Sequence, residues 1–507
     1  MATYDIIIRG GTIVDGTRAP RYISDIAIKD GRIAKIGGLN GGTADREIDA
    51  KGLSWPPASS TFIPTMTPRY SGIPIAPCPA GTALPPWPWA TAASAFAPSR
   101  VEDQDRAMLS MTRNEAIPYD AMKEGMPWNW VTFPDFIDSL ENTPKGINCL
   151  TYVPADPALR LGHGLGRGQE PPPDRGELQE MVRLIHEAMD HGACGWSAQV
   201  LGETSVQRDY DGSPMITDLL SEHEVLSFAQ VLRDRDEGFI ELAYQETGED
   251  GRPLGEETRN FFERVAEVSG RPVLYQAVAP NAVHPEQHRE RIRWLESCAE
   301  RGLRVYGQGA TRRGGFELTF EDWNLFDDTP MWREGKHVID ALLDMCVEDD
   351  LATEFYADTQ GRDQAQYTAE VLDSNHIVAG VSDGGAHVKF LTAGIYPTDM
   401  LTWLVRDEKV ISLEDAHYKL SFLPAHFGGF QDRGALREGS PADVIVYDLQ
   451  KLEVLPSEVA EDLPGGEWRR IQKANGYRYT LVNGEVTFED GEPTGAYPGR
   501  LLRNGRG

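Results

Sequence analysis

The pattern of apolar and polar positions divides the chain into a β-rich beginning, a long alternating middle and a β-rich end. Tyr4-Asp-Ile-Ile-Ile-Arg-Gly-Gly-Thr-Ile-Val-Asp15 reads as an apolar strand, a Gly-Gly turn and a second short strand. Ile23 to Ile28 and Arg32 to Ile36 follow as strands around the tight turn Lys29-Asp30-Gly31. A meander of this size buries no core alone. At the far end, Ala442 to Tyr447 and Tyr479 to Phe488 have the same character, with Asn483-Gly484 as a hairpin turn. Two such segments bracketing the chain predict one small β-sandwich built from residues 1–53 and 430–507.

Between them the period changes. Met181, Leu184, Ile185 and Met189 recur at helical spacing within Leu178 to His191, and Phe239 to Tyr244 reads as a strand. A helix over Thr258 to Val268 precedes the strand Pro272 to Tyr275, and one over Arg289 to Arg301 precedes Leu303 to Tyr306. Another at Tyr367 to Leu372 precedes Ile377 to Gly380. Repeated helix-then-strand units predict a parallel sheet, and over residues 54–429 the leading form is a (β/α)8 TIM-type barrel. An open doubly wound sheet is the alternative. No G-x-G-x-x-G follows a first strand to mark a dinucleotide site.

Composition narrows the setting. The 507 residues carry 49 Lys+Arg against 79 Asp+Glu, a net charge of −30. That balance argues against a nucleic-acid or anionic-membrane surface. The five cysteines (Cys78, Cys149, Cys194, Cys298 and Cys346) are scattered and odd in number, unlike a disulfide framework. The N-terminus lacks the basic-then-apolar pattern of a signal peptide, and no run of 18 apolar residues occurs. A cytoplasmic protein acting on a small molecule is expected. Oligomeric state is not readable.

In a barrel of this kind chemistry lies at the C-terminal ends of the strands. The sharpest candidate is Ile377-Val-Ala-Gly-Val-Ser-Asp-Gly-Gly-Ala-His387, an apolar strand running into an aspartate and two glycines. Asp383 there can ligate a metal or take a proton from bound water, and His387 lies close enough to share the pocket as a weak substrate-binding candidate. The bland alternative makes Asp383 a turn former or helix N-cap and His387 a satisfied loop residue. His284 and His288 have an i, i+4 spacing, but Pro285 and charged neighbours point to a helix start on a solvated surface. His186, His191, His223, His337, His376 and His417 stand isolated among charges, and Cys194 reads as a small core residue.

One stretch breaks the pattern. Of the 34 prolines, ten lie between Ser54 and Ala95, and the same 42 residues carry a single charge, Arg69, and no histidine. As a genuine insertion this would be a long structureless loop in place of a central strand, which loop lengths in compact domains disfavour.

Several segments together resemble the amidohydrolase superfamily, in its N-acyl-D-amino-acid deacylase (D-aminoacylase-like) branch. They are Tyr4 to Gly16, Ser24 to Ile36, Glu47 to Leu53, Phe96 to Arg100, Glu124 to Trp130, Gly195 to Ser197, Ser382 to His387, Asp432 to Gly434 and Gly439 to Val446. The resemblance spans nearly the whole chain and implies a zinc or other divalent-metal hydrolase of linear amides. In that family an H-x-H on the first barrel strand supplies two zinc ligands, and a G-N-C-G cysteine supplies another. Those positions hold Ile63, Thr65 and Ala92 here, which substitute poorly for imidazole or thiolate.

A frameshift over residues 54–95 accounts for both anomalies. Codons formed from the last base of one residue and the first two of the next give aspartate where Met66 precedes Thr67. They give alanine where Trp55 precedes Pro56, and glycine where Trp89 precedes Ala90. These are forced, because Met and Trp have single codons. Consistent choices elsewhere read V-L-A-P-G-F-I-D over 54–61, F-H-S-H-Y-D-A over 62–68 and W-H-G-V-T-S-V-A-M-G-N-C-G-F-G over 81–95. A second departure lies outside the window. Where the family brings further zinc histidines from two mid-barrel strands, Glu241 to Gln245 and Val273 to Gln276 end in glutamines. The resemblance therefore implies amide hydrolysis with Asp383 as metal ligand and general base, in a chain whose written sequence lacks the H-x-H. A cyclic-amide hydrolase of hydantoinase or dihydroorotase type, and a non-catalytic or pseudogene-like protein, are the alternatives.

Overall fold

The computed structural model describes residues 3–39, 41–58, 96–155, 174–203, 205, 208–244, 255–282, 284–311, 313, 315–318, 343, 346–347, 355–358, 364–380, 389–390 and 392–504. The first five strands are β1 (Tyr4–Ile13), β2 (Tyr22–Lys29), β3 (Arg32–Ile36), β4 (Ala44–Asp49) and β5 (Ser54–Trp55). The central strands are β6 (Val153–Pro154), β7 (Gly195–Val200), β8 (Phe239–Tyr244), β9 (Val273–Val278) and β10 (Val305–Gly309). After them come β11 (Gly315–Leu318), β12 (Phe355–Asp358) and β13 (Ile377–Ala379). The chain closes with β14 (Val444–Tyr447), β15 (Glu453–Ala460), β16 (Arg469–Asn475), β17 (Tyr477–Val482), β18 (Glu485–Glu489) and β19 (Glu492–Pro493).

The two ends of the chain build one nine-stranded sheet, ordered β19-β18-β17-β14-β5-β1-β2-β3 with β4 beside β1. β1 lies inside this sheet and is covered on both faces, which its consecutive isoleucines accommodate. Ile6 and Ile8 pack with Ile26, Ile28 and Ile33, while Ile7 packs with Ala27 and Leu39 on the other side. Gly10-Gly11 does not turn the chain as the sequence predicts. It forms an irregularity within one continuous strand, where the pairing with β2 shifts between Ile8 and Gly11. The reason is local packing, since a Cβ on Gly11 would lie 1.6 Å from Nε1 of the buried Trp55.

The Asn483-Gly484 hairpin forms as predicted, with φ of 46° and 81° at its two residues. It stacks on the turn at Gly31, where a Cβ would meet the Asn483 carbonyl at 2.7 Å. Asp443 holds this junction, accepting the Asn483 N–H at 2.7 Å, the Asn148 amide at 3.3 Å and the Arg433 guanidinium. The segments Asp432 to Gly434 and Gly439 to Val446 thus join the terminal sheet to the central region. The C-terminal tail adds to that join, with Cys149 N–H on the Arg500 carbonyl at 2.9 Å.

Six strands of the central region form one parallel sheet, ordered β13-β10-β9-β8-β7-β6. Helices Arg175–Asp190, Glu222–Arg235, Glu256–Ser269, Pro285–Glu300 and Ala365–Asp373 alternate with them. The first begins at Asp174, capping Gly176 and Glu177, and the second at Ser221 with Glu224, so both start on capping boxes. Met181, Leu184, Ile185 and Met189 are buried, as their spacing predicts. Cys194 is buried directly before β7, as a small core residue should be, and burial pushes its thiol up.

Candidate active site at the barrel mouth

Side chains alternate across each parallel strand, and the packing shows which alternate set faces inward. Ile240, Leu242, Val273, Tyr275, Val305 and Ile377 pack with the surrounding helices. Phe239, Leu274 and Val378 cluster instead with Tyr152, Phe427 and Phe430, closing the end where the strands begin. The inward set continues toward the C-terminal ends as Ser197 and Gln199 on β7, Glu241 on β8, Gln276 on β9 and Gln308 on β10. The interior therefore changes from aromatic to polar along the strands.

Glu241 is fully buried in this polar layer. Its Oε1 accepts from Gln276 Nε2 at 2.8 Å, and its Oε2 accepts from the Tyr152 hydroxyl. Tyr152 is itself fully buried, and burial with the Glu241 charge pushes its phenol well up, so it stays a donor. Gln276 is half-buried and stands one inward position nearer the strand ends, since Ala243 rather than Glu241 pairs with it. On β7, Gln199 Nε2 donates to Asp218 Oδ1 at 3.3 Å, and the same oxygen accepts the Leu201 N–H at 2.9 Å. Burial raises the Asp218 carboxyl to about 6, opposed in part by these hydrogen bonds.

β13, which leads into the Asp383 segment, is anchored at its root. Lys419 Nζ donates to the carbonyls of Ser374 and Ile377, the latter at 3.1 Å, and burial lowers its amine to about 7. After β10, Arg313 grips Asp399 through its backbone N–H at 2.7 Å and through its guanidinium Nε at 2.9 Å. That ion pair ties the exit of β10 to the helix following β13.

The sequence-predicted site residues Asp383 and His387 lie outside the described residues, as do Ile63, Thr65, Ala92 and Gln245. Among the described residues no group of three or more His, Cys, Asp or Glu side chains is placed to hold a metal ion. The mouth residues that are described, Gln199, Gln276 and Gln308, are neutral amides, and two of them are committed through their NH2 groups to carboxylates. They do not fit a metal-ligand set, and no step through a metal is derived from them.

Two histidines depart from the sequence reading. His288 is fully buried rather than solvated, because the helix beginning at Pro285 turns it toward the neighbouring helix Ala365–Asp373. There Nε2 meets Glu370 at 3.3 Å, while Nδ1 accepts the Asn281 N–H, and burial lowers its pKa. His417 is buried with Nε2 2.6 Å from the Tyr447 hydroxyl, and burial depresses it to about 3. Both are structural. Glu241 escaped the sequence reading although it carried a signal, a lone acid in the apolar run Phe-Ile-Glu-Leu-Ala-Tyr. Asp218 carried none.

Residues 333–488 match the amidohydrolase family model. The chain is 24% identical to a D-aminoacylase of Alcaligenes xylosoxydans xylosoxydans, with 98% of this chain and 97% of that protein covered. An N-acyl-D-aspartate deacylase of the same organism is 25% identical, with 99% and 96% covered. Among solved structures, the N-acyl-D-glutamate deacylase of Bordetella bronchiseptica, complexed with zinc and a phosphonate mimic of the tetrahedral intermediate, matches with a TM-score of 0.71. It is 20% identical, and 99% of each chain is covered. A D-hydantoinase matches with a TM-score of 0.55 at 14% identity, covering 99% of this chain and 100% of that one. The fold is thus a TIM-type barrel with a β-sandwich, and the six parallel strands belong to that barrel.

Proposed function

We propose that this chain, an amidohydrolase of the D-aminoacylase-like branch, derives from a metal-dependent hydrolase of N-acyl D-amino acids or related linear amides. The observation that carries this reading is the length of the match, with relatives named as deacylases of D-amino acids covering 98% and 99% of the chain. The proposed setting is cytoplasmic, with a small-molecule substrate and no nucleic-acid or membrane partner. Among the described residues, no helix is long and apolar enough to cross a membrane.

Within this reading Asp383, at the end of the segment that β13 begins, takes a proton from the attacking water and returns it to the departing amine. His387, four positions on in the sequence, is the weaker candidate for contacting the substrate. Where bound, a divalent metal would activate water and polarise the scissile carbonyl. The written chain holds Ile63, Thr65 and Ala92 where the family's first-strand histidines and cysteine stand, so its activity is impaired. The test is metal analysis of the purified protein with turnover of a panel of N-acyl-D-amino acids. Little metal and little turnover are expected; stoichiometric zinc with normal turnover overturns the impairment.

The hydantoinase-like fold match, at the lower TM-score of 0.55, supports a cyclic-amide hydrolase as the second reading. Hydantoins in the same panel separate the two.

A further inference from the structure

We propose that Gln276 is a fixed hydrogen-bond acceptor for the amide N–H of the substrate, and that Glu241 is the positioning residue that fixes it. The inference rests on the deacylase reading above and deepens it.

A glutamine side chain has a donor end and an acceptor end, and either can point either way unless its neighbours decide. Here a neighbour decides. Gln276 Nε2 lies 2.8 Å from Glu241 Oε1. Glu241 is the acceptor on both of its oxygens here, from Tyr152 and from Gln276, so it is the NH2 end that faces it. The carboxylate is itself held in place, because its other oxygen accepts from the buried Tyr152 hydroxyl. Glu241 and Tyr152 are fully buried while Gln276 is half-buried. The donor end therefore points down into the barrel, and the acceptor end is left toward the strand ends. Gln276 Oε1 has no hydrogen-bond partner among the described residues.

The same device recurs on β7. Gln199 Nε2 donates to Asp218 Oδ1 at 3.3 Å, and Gln199 Oε1 likewise has no partner among the described residues. Two strands of one barrel thus each carry an amide whose donor end is held by a buried acid; Gln199 is itself buried, and the half-buried Gln276 is the one whose carbonyl is left toward the mouth. A mouth lined in this way accepts N–H donors. The N–H of an N-acyl amino acid is its one neutral donor, and an ester of the same shape lacks it. Discrimination between amide and ester is the property such a carbonyl supplies, because the unpaired acceptor must give up water without compensation when the ester binds.

Binding rather than turnover tests this, so the state of the metal ligands does not decide the outcome. Full-length protein is titrated by calorimetry with a panel of N-acetyl-D-amino acids and with the matched O-acetyl-2-hydroxy acids. The wild type is expected to bind the best amide roughly three- to tenfold more tightly than its ester. Gln276→Met is expected to erase that ratio by weakening the amide alone. Glu241→Gln is expected to reduce it with Gln276 intact, because a neutral amide at 241 no longer dictates which end of Gln276 faces it. A general structural loss would weaken both ligands together. Should Gln276→Met fail to fold, Gln276→Asn keeps the amide but shortens its reach, and the same loss of ratio is expected. Equal binding of amide and ester by the wild type, or an unchanged ratio in the folded variants, overturns the inference alone. Wild-type protein that binds no N-acetyl-D-amino acid overturns the deacylase reading instead.

Discussion

Lys419 donates to the Ile377 carbonyl at 3.1 Å from a position only 1% exposed, so a buried amine pins the first residue of the strand that leads to Asp383. Its burial holds the amine at about 7, well below the ordinary 10.5, with Arg18 lowering it further and Asp373 and Asp415 opposing. Between about pH 7 and 10.5 the unfolded chain keeps this proton while the folded chain has lost it. Stability therefore rises with pH across that window, by up to about 1.4 kcal/mol per unit from this group. Below pH 7 both states are charged and the burial cost stays. Urea denaturation at several pH values should show this slope in the wild type and its loss in Lys419→Met; equal slopes would reject it.

Asp218 gives a second pH signature of opposite sense. Its folded carboxyl titrates at about 6 against an ordinary 3.8, because burial disfavours the charge. The folded chain binds the proton more tightly, so stability is greatest below about pH 4 and falls as pH rises to about 6. Above pH 6 the cost of the buried charge persists. Asp218→Asn keeps the size and an acceptor for the Leu201 N–H, and it should flatten this part of the stability profile. Thermal melts between pH 4 and 7 would show it, and a variant with an unchanged profile would count against the assignment.

Asp443 makes the junction between the terminal sheet and the central region sensitive to a single charge. It faces Arg433, which is 7% exposed, and the Asn483 N–H at 2.7 Å. Asp443→Ala leaves the buried Arg433 guanidinium without its counter-charge, with the Asn483 Oδ1 contact at 3.2 Å still in place, a loss of about 3–5 kcal/mol. A large drop in melting temperature is expected; a drop of only a degree or two would mean the junction is held by something else.

Much of this architecture is legible in the sequence because it rests on local chemistry. Met181, Leu184, Ile185 and Met189 are spaced for one helix face, and Asn483-Gly484 demands a turn whatever surrounds it. Gly10-Gly11 is equally local but ambiguous: the pair permits a turn, and only Trp55, 44 positions after Gly11, decides that the strand runs on. His288 misleads for a related reason. Its sequence neighbours are charged, yet Arg289 folds onto the same Glu370 that the ring meets, 82 positions away, and Arg291 is buried as well. The acids behind the mouth amides are hardest to read, since Glu241 and Gln276 meet only when two parallel strands lie side by side. Asp383, which the sequence offers through its strand-then-D-G-G pattern, lies outside the described residues.

Ten of the chain's 34 prolines fall within the 42 residues from Ser54 to Ala95. If their proline-rich character is an out-of-frame reading, the nucleotide sequence across codons 50 to 100 should differ from an open barrel strand by two compensating single-base changes. Re-reading that DNA from the organism is the direct check. A chain rewritten in the other frame over this stretch carries Ile63→His, Thr65→His and Ala92→Cys together with the neighbouring changes. Imidazole and thiolate are the donors that hold zinc, whereas isoleucine and alanine offer none. The rewritten chain should retain metal through gel filtration and hydrolyse N-acyl-D-amino acids, and the written chain should do neither at a comparable level. It should also resist protease better around residues 54 to 95, because a stretch patterned as a barrel strand can pair its backbone donors and acceptors. A rewritten chain no better at holding metal or resisting protease than the written one would show that the proline-rich stretch is native to this protein.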